Sequence, residues 1–504
     1  MKRLLALAAL LLAVPAAAQD APAPRNDAEA HRLYDEASAR ARAGDPEGAR
    51  ALIDQALVLL PEPGPQRGFV QCVRGMAYLG VDLATARAAI EECHQLIPAS
   101  PIAGMAQAQL MLASGQTDAA MRTMVQLMRA HPEVMADCDT TSVGQIATWL
   151  RILDYERQDA LRGELVEALI GTPCGQNDAA FFSGLARATI ADRVARGDRA
   201  GAAGLLPAVV DPDDMLVLLI DRRYDPIRAE IERQAGPTLI PQREALVQSA
   251  RNAVARFPGG ATRNRLGRVL AGTGHEAEAI AVLQALLDER TARPDYSLLS
   301  TVASRLADAM NDNGERDVNK VVAPMRRLLG AASLHDQPGL WNIVPNLALW
   351  LLNYGKDREA LAVLERNWPA PGLFDAPAAY AYFTALRSCA EFRLGDPTAR
   401  AKLDGVRAEH PGNLGARRLA ALCGPDGAAQ RNELLAIAAD PRDNGSTLAS
   451  LVRLRTLGAI GKGPPTFEHA AMLRALADPD FAARLDALAR PLAPGYRDAL
   501  ANWH

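Results

Sequence analysis

The chain has few aromatic residues: of its 504 positions 5% are Phe, Trp or Tyr, although 49% are hydrophobic. Its apolar content is therefore mostly Ala, Leu and Val, the side chains of closely packed helices. Alternating runs of β-branched residues, which mark half-buried strands, are missing, and apolar residues recur three and four apart instead. Together these absences predict an all-α protein. Beyond the N-terminus no stretch approaches the run of about twenty apolar residues that a membrane helix needs, so no later membrane span is expected. Charge of one sign is scarce as well: 55 Lys and Arg oppose 59 Asp and Glu, with a formal net charge of −4. The two signs are mixed along the chain, which offers no basic field for nucleic acid and reads as a solvated surface.

Catalytic and metal signatures are also absent. The sequence holds no G-x-S-x-G elbow, no phosphate-binding glycine loop and no nucleotide fingerprint. HEAEA at His275 lacks the second histidine of a zinc helix, and no pair of C-x-x-C motifs occurs. Glu91 and Glu92 are adjacent on one helix and point in different directions, unlike a catalytic pair converging across a pocket. His131 in RAHP and His410 in AEHP each precede a proline at a helix end, where an imidazole complements terminal carbonyls. No cofactor, metal or catalytic residue is therefore expected.

What is present begins with MKRLLALAALLLAVPAAAQ. Lys2 and Arg3, the apolar run Leu4 to Val14 and the small residues Ala16 to Ala18 form the three parts of a secretory signal peptide cut after Ala18. Export to the periplasm or the medium is the expected localisation.

Glycines then set a beat. GDPEGA at Gly44, LGVDLA at Gly80 and SGQTDAA at Gly115 are spaced 36 and 35 residues apart, with prolines at Pro61, Pro98 and Pro132 keeping step. A longer stride follows at Gly274, Gly314, Gly355 and Gly395, spaced 40, 41 and 40, with RGDRAGA at Gly197 between the two series. Each unit reads as helix, tight turn, helix, stop. In GDPEGARAL, Asp45 is expected to cap the following helix with Pro46 at its first position, and LGDPTAR is expected to repeat the device with Asp396 and Pro397.

In PIAGMAQAQLMLASGQTDAAMRTMVQLMRAHP, the residues Ala108, Gly115, Ala120 and Pro132 fall at a small contact, the turn, a second small contact and the terminal stop. Leu266, Gly267, Leu270, Ala279 and Leu283 repeat this spacing, as do Leu347, Ala348, Leu351, Ala360 and Leu364. In these units the chain resembles the tetratricopeptide repeat (TPR) family, in an exported form. The resemblance implies an all-α superhelix, a TPR-like solenoid of stacked helical hairpins, whose first helices line a groove for peptides or partner proteins. Carried over by position, Tyr34, Ser38, Met105, Gln109, Asn264 and Arg268 face that groove. Arg263 would join Asn264 and Arg268 in gripping a carboxylate. In the aromatic concentration around LWNIVPNLALWLLNYG, Trp350 reads as core and Trp341, at the hairpin entrance, as a candidate interface anchor.

Six cysteines remain. In an exported chain their even number suggests bridges, with free buried thiols the alternative. Cys72 and Cys93 lie level across one hairpin, Cys138 and Cys174 level across another whose turn falls at Arg157, and Cys389 and Cys423 sit 34 residues apart on neighbouring first helices. Sequential pairing is the arrangement consistent with the repeats.

The expected organisation is a signal peptide over 1–18, a linker over 19–27, helical arrays over 28–235 and 241–423, and a helical capping region over 424–504. The expected function is a non-catalytic scaffold for a protein or peptide partner in the cell envelope. The alternative is an envelope hydrolase acting on glycan or peptidoglycan, or its regulatory subunit, built on a helical solenoid.

Overall fold

A computed structural model describes residues 25–42, 45–135, 158–177, 179–256, 258–289, 294–369, 377–424, 427–443 and 445–501, with isolated positions at 146, 149, 150 and 153. The expected leader over 1–18 lies outside the described residues. Within them the chain is all-α, a TPR-like solenoid of stacked helical hairpins, and the one β feature is an isolated antiparallel bridge between Asp221 and Ala489.

Two compact units are present, Met1–Asp192 and Arg193–His504. The first holds α1 (Arg25–Arg42), α2 (Pro46–Val58), α3 (Pro65–Tyr78), α4 (Leu83–Leu96), α5 (Pro101–Ala113), α6 (Thr117–Ala130), α7 (Asp159–Ile170), α8 (Pro173–Asn177) and most of α9 (Ala179–Ala195). The second holds α10 (Arg199–Gly204), α11 (Pro212–Ile220), α12 (Arg228–Ala235), α13 (Ile240–Arg256), α14 (Gly260–Ala271), α15 (Glu276–Asp288), α16 (Tyr296–Asp312), α17 (Val318–Ala331) and α18 (Ile343–Asn353). It continues through α19 (Asp357–Arg366), α20 (Pro377–Arg393), α21 (Ala399–Glu409), α22 (Leu414–Cys423), α23 (Ala428–Ala439), α24 (Ser446–Leu457), α25 (Phe467–Leu476), α26 (Pro479–Leu488) and α27 (Pro494–Ala501). The division falls inside α9.

Six of the turn glycines take left-handed backbone; Gly80 does not, and Gly44 lies outside the described residues. Gly115, Gly197, Gly274, Gly314, Gly355 and Gly395 all hold a positive φ, between 72° and 95°, which glycine adopts without a Cβ penalty. Asp45 accepts a 2.9 Å hydrogen bond from the Gly48 N–H and caps α2, with Pro46 as its first residue. LGDPTAR departs from that device. Asp396 instead accepts from the Thr398 N–H at 2.8 Å and closes a turn, so α21 starts two residues after Pro397.

Small residues sit where helices touch. Ala108, Ala120, Ala279, Ala348 and Ala360 are fully buried, and a Cβ on Gly267 would come within 2.5 Å of Leu283 Cδ2 across the α14–α15 hairpin. Consecutive first helices also pack on one another, α14 on α16, α16 on α18, α18 on α20 and α20 on α22. They enclose one apolar core running from Leu283 to Cys423.

Two disulfides brace these contacts. Cys72 and Cys93 join α3 to α4 with Cα atoms 5.1 Å apart, and Cys389 and Cys423 join α20 to α22 at 5.4 Å. Cys174 is also disulfide-bonded; Cys138 and the turn at Arg157 lie outside the described residues.

The C-terminal region does more than cover the last repeat. After α23 stacks on α22, the chain turns back along the second unit: α25 packs against α22 and α18, and α24 against α11. The return ends on the start of the unit, where the Arg490 N–H donates to Ile220 O at 2.7 Å and Tyr496 OH donates to Gly236 O at 2.5 Å.

Candidate functional site

Several charged and polar side chains of the second unit lie on its first helices. On α14, Arg263 and Arg268 point to different places although five residues apart. Arg263 turns toward its own hairpin partner and ion-pairs with Glu289, just past the end of α15. Arg268 is exposed. Between them Asn264 is 8% exposed, and its backbone carbonyl accepts from Arg305 Nη1 on α16 at 3.3 Å. Arg263 is thus held by Glu289, whereas Asn264 and Arg268, four residues apart, share one side of α14, Asn264 buried and Arg268 exposed. Arg268 is grouped instead with Arg265 and Arg305, whose charges act on one another.

That grouping shapes the local electrostatics. Burial and then the charge of Arg268 push the Arg305 guanidinium down to about 10, and Asp308 one turn further on partly offsets this. Asp308 keeps contact with water at its side chain, yet protein surrounds it closely enough to raise its carboxyl to about 7. Asp312 adds to the rise, while a hydrogen bond from Trp350 and the charge of Arg305 oppose it. Asp211, which caps α11 by accepting from the Asp213 N–H at 3.0 Å, is likewise raised to about 7. Burial is the first cause there, Asp213 and Asp214 add to it, and Arg268 opposes. Asn346 Nδ2 of α18 donates to Ser304 Oγ of α16 at 2.9 Å, continuing the polar stripe to the next first helix.

Farther along the same face the C-terminal helices contribute. Arg393 of α20 lies over the Phe467 ring of α25, 5.1 Å from its centroid. Tyr382 on α20 is raised to about 12 by burial and by Glu468, with Arg418 of α22 opposing. His469 is held below its ordinary value by burial and by the charges of Arg418 and Arg453. Arg453 on α24 reaches Asp213 Oδ1 at 3.6 Å, tying this end of the stripe back to α11.

The remaining expected groove residues lie elsewhere. Met105 is 1% exposed and belongs to the same apolar core as Met121 and Met124 of α6. Ser38 is buried in α1. Tyr34 is half-buried, with its ring edge-on to Phe69 at 5.1 Å, and Gln109 is half-buried on α5. Trp341 is half-buried against the main core, with its ring 6.4 Å from that of Phe383. Arg305, Asp308 and Asp211 were missed. The one available signal was the recurrence of Arg265, Arg268 and Arg305 on the non-core faces of α14 and α16.

Among the described residues no cluster of three or more His, Cys, Asp or Glu could hold a metal, and no helix is long and apolar enough to cross a membrane. No family model and no curated protein matches the chain. Among solved structures it is similar to a chain in a structure of Naa15/Naa10 bound to HypK-THB, at 14% identity. That likeness covers 90% of this chain and 75% of the other, with a TM-score of 0.22.

Proposed function

We propose that the protein is a non-catalytic, exported scaffold that binds a protein or peptide partner in the cell envelope. The observation that carries this reading is the arginine group on adjacent first helices, Arg265 and Arg268 on α14 and Arg305 on α16, with Arg268 exposed. Guanidinium forks on stacked, rigid helices pair well with the carboxylates of an acidic segment. The disulfides Cys72–Cys93 and Cys389–Cys423 support an oxidising compartment. Asp211 and Asp308, both raised to about 7, lend support to the alternative of a glycan or peptidoglycan hydrolase. The scaffold is preferred because each carboxylate already serves the fold, Asp211 by capping α11 and Asp308 by accepting from Trp350.

The test is affinity capture from the envelope fraction with the wild-type chain, Arg268→Ala, Arg305→Ala and Arg263→Ala. Loss of a captured partner by the first two variants, with retention by the third, is expected. Equal recovery with all four proteins removes the proposed site, and glycan cleavage that disappears in Asp308→Asn replaces the scaffold reading with the hydrolase.

A further inference from the structure

Several arginines of the second unit close on an acid of another helix. Arg251 of α13 lies 2.7 Å from Glu278 of α15, Arg326 of α17 lies 2.7 Å from Glu359 of α19, and Arg327 of α17 lies 2.7 Å from Asp288 of α15. Three charges on α14 and α16 behave differently. Arg268, Arg305 and Asp308 form no ion pair among the described residues. They are not isolated, because Arg268 acts on Arg305 and on Asp211 at the start of α11, and Arg305 acts on Asp308. These opposite charges act on one another without closing.

Neutral groups hold two of the three in place. Arg305 Nη1 donates to the Asn264 carbonyl of α14 at 3.3 Å, and Asp308 accepts from Trp350 of α18, which is itself buried. Three residues apart on α16, Arg305 and Asp308 lie on one face with about 5 to 6 Å between their Cβ atoms. Arg268, on the neighbouring first helix, joins Arg305 in a positive pole, and Asp308 with Asp312 one turn on makes the negative one. Arg268 and Asp308 are both exposed. Protein nevertheless surrounds the Asp308 carboxyl, which places this pole in a recess open to solvent. Two adjoining poles fixed on packed helices are preorganised for a ligand that carries both complementary charges, since neither pole has to move on binding.

We propose that this site reads an extended peptide segment carrying an acidic and a basic side chain two residues apart, with Arg268 and Arg305 taking the carboxylate and Asp308 taking the ammonium group. Residues two apart in extended backbone point to the same side and lie about 7 Å from each other, close to the spacing of the two poles on α16. A purely acidic segment would bring a second negative charge against Asp308, whereas a mixed one complements both poles. The proposal rests on the scaffold reading and narrows it. The two fail separately, because the scaffold reading needs only the arginines and the mixed segment also needs Asp308.

The test is fluorescence anisotropy with the full chain and rhodamine-labelled peptides built on a short Gly/Ser backbone. One probe carries Glu and, two residues on, Lys; the second has Gln in place of the Lys, and the third has a second Glu there. At pH 8 the Glu/Lys probe is expected to bind wild type about tenfold more tightly than either of the others. Arg268→Gln and Arg305→Gln are expected to weaken all three probes, and Asp308→Asn to abolish the advantage of Lys over Gln. Lowering the pH to 5.5 protonates Asp308, whose carboxyl is raised to about 7, so that advantage is expected to fall below about twofold. Asp308→Lys serves as a second variant and is expected to prefer the Glu/Glu probe; circular dichroism checks that every variant stays folded. Equal binding of the Glu/Lys and Glu/Gln probes by wild type at pH 8, or no binding of any probe, overturns the proposal. So does an advantage of Lys that persists in folded Asp308→Asn. A Glu/Glu probe that binds wild type most tightly keeps the scaffold reading and refutes the mixed segment.

Discussion

At the scale of single residues, the charges on the first helices of the second unit act on one another. The surrounding protein and then the charge of Asp312 raise the Asp308 carboxyl to about 7, although the residue is exposed at the surface. Its folded value lies above the ordinary 3.8 of an aspartate, so the native state holds the proton more tightly than the unfolded chain does. The resulting stabilisation is complete below about pH 4 and is lost as pH rises through 7. Asp308→Asn removes the charge, and its amide oxygen can still accept from Trp350. The variant is expected to match wild type near pH 4 and to melt about 2 °C higher at pH 8, corresponding to about 1 kcal/mol once access to water is allowed for. Thermal denaturation at both values checks this. A gain at pH 4 that vanishes at pH 8 would reverse the sign and refute the assignment.

At the scale of elements, the hairpin is a unit because small residues let its two helices approach. Gly267 and Gly405 are both inside helices, yet their surroundings differ. A Cβ on Gly267 meets Leu283 Cδ2 at 2.5 Å, and Leu283 is fully buried with no room to retreat. On Gly405 the nearest atom is Glu409 Oε1 at 3.7 Å, the end of a flexible side chain. Gly267→Ala is therefore expected to cost about 1 to 2 kcal/mol net, because overpacking outweighs the gain in helix propensity. Gly405→Ala is expected to gain about 0.5 to 1 kcal/mol. Urea midpoints measure both, and shifts of the same sign would show that the contact at Gly267 is unimportant. These contacts were legible in the sequence because they recur at a fixed period and join residues of one hairpin. Gly267 and Ala279 could be placed from spacing alone, and so could the level of Cys72 with Cys93. The groove residues could not. Met105 and Asn264 hold the right positions in their helices, but the surrounding helices decide whether a position is open, and here both are buried.

At the scale of the whole chain, the second unit closes on itself within residues 193–504, a property for which no local signal exists. Arg222 Nε donates to Asp486 O at 2.9 Å across a sequence separation of 264. Arg490 is 8% exposed, ion-pairs with Asp225 and donates its backbone N–H to Ile220 O at 2.7 Å. Neither end of this clasp shows periodicity, so the sequence led only to a cap over 424–504 and not to the surface that the cap meets. The clasp closes a very long loop. Such closure costs entropy that grows slowly with length, so a few buried polar contacts are enough to hold it. Its two sides should therefore loosen together. Arg490→Ala is expected to lower the stability of the clasp by about 2 kcal/mol, since it removes a charged partner from Asp225 and leaves the Leu219 carbonyl without a side-chain donor at 3.5 Å. Hydrogen exchange should then rise together in 212–235 and 479–496, with α18 and α19 unchanged because they lie in the continuous core of the array. A rise confined to 479–496 would mean that the C-terminal helices rest on a surface that is stable without them, and that the unit does not depend on closure.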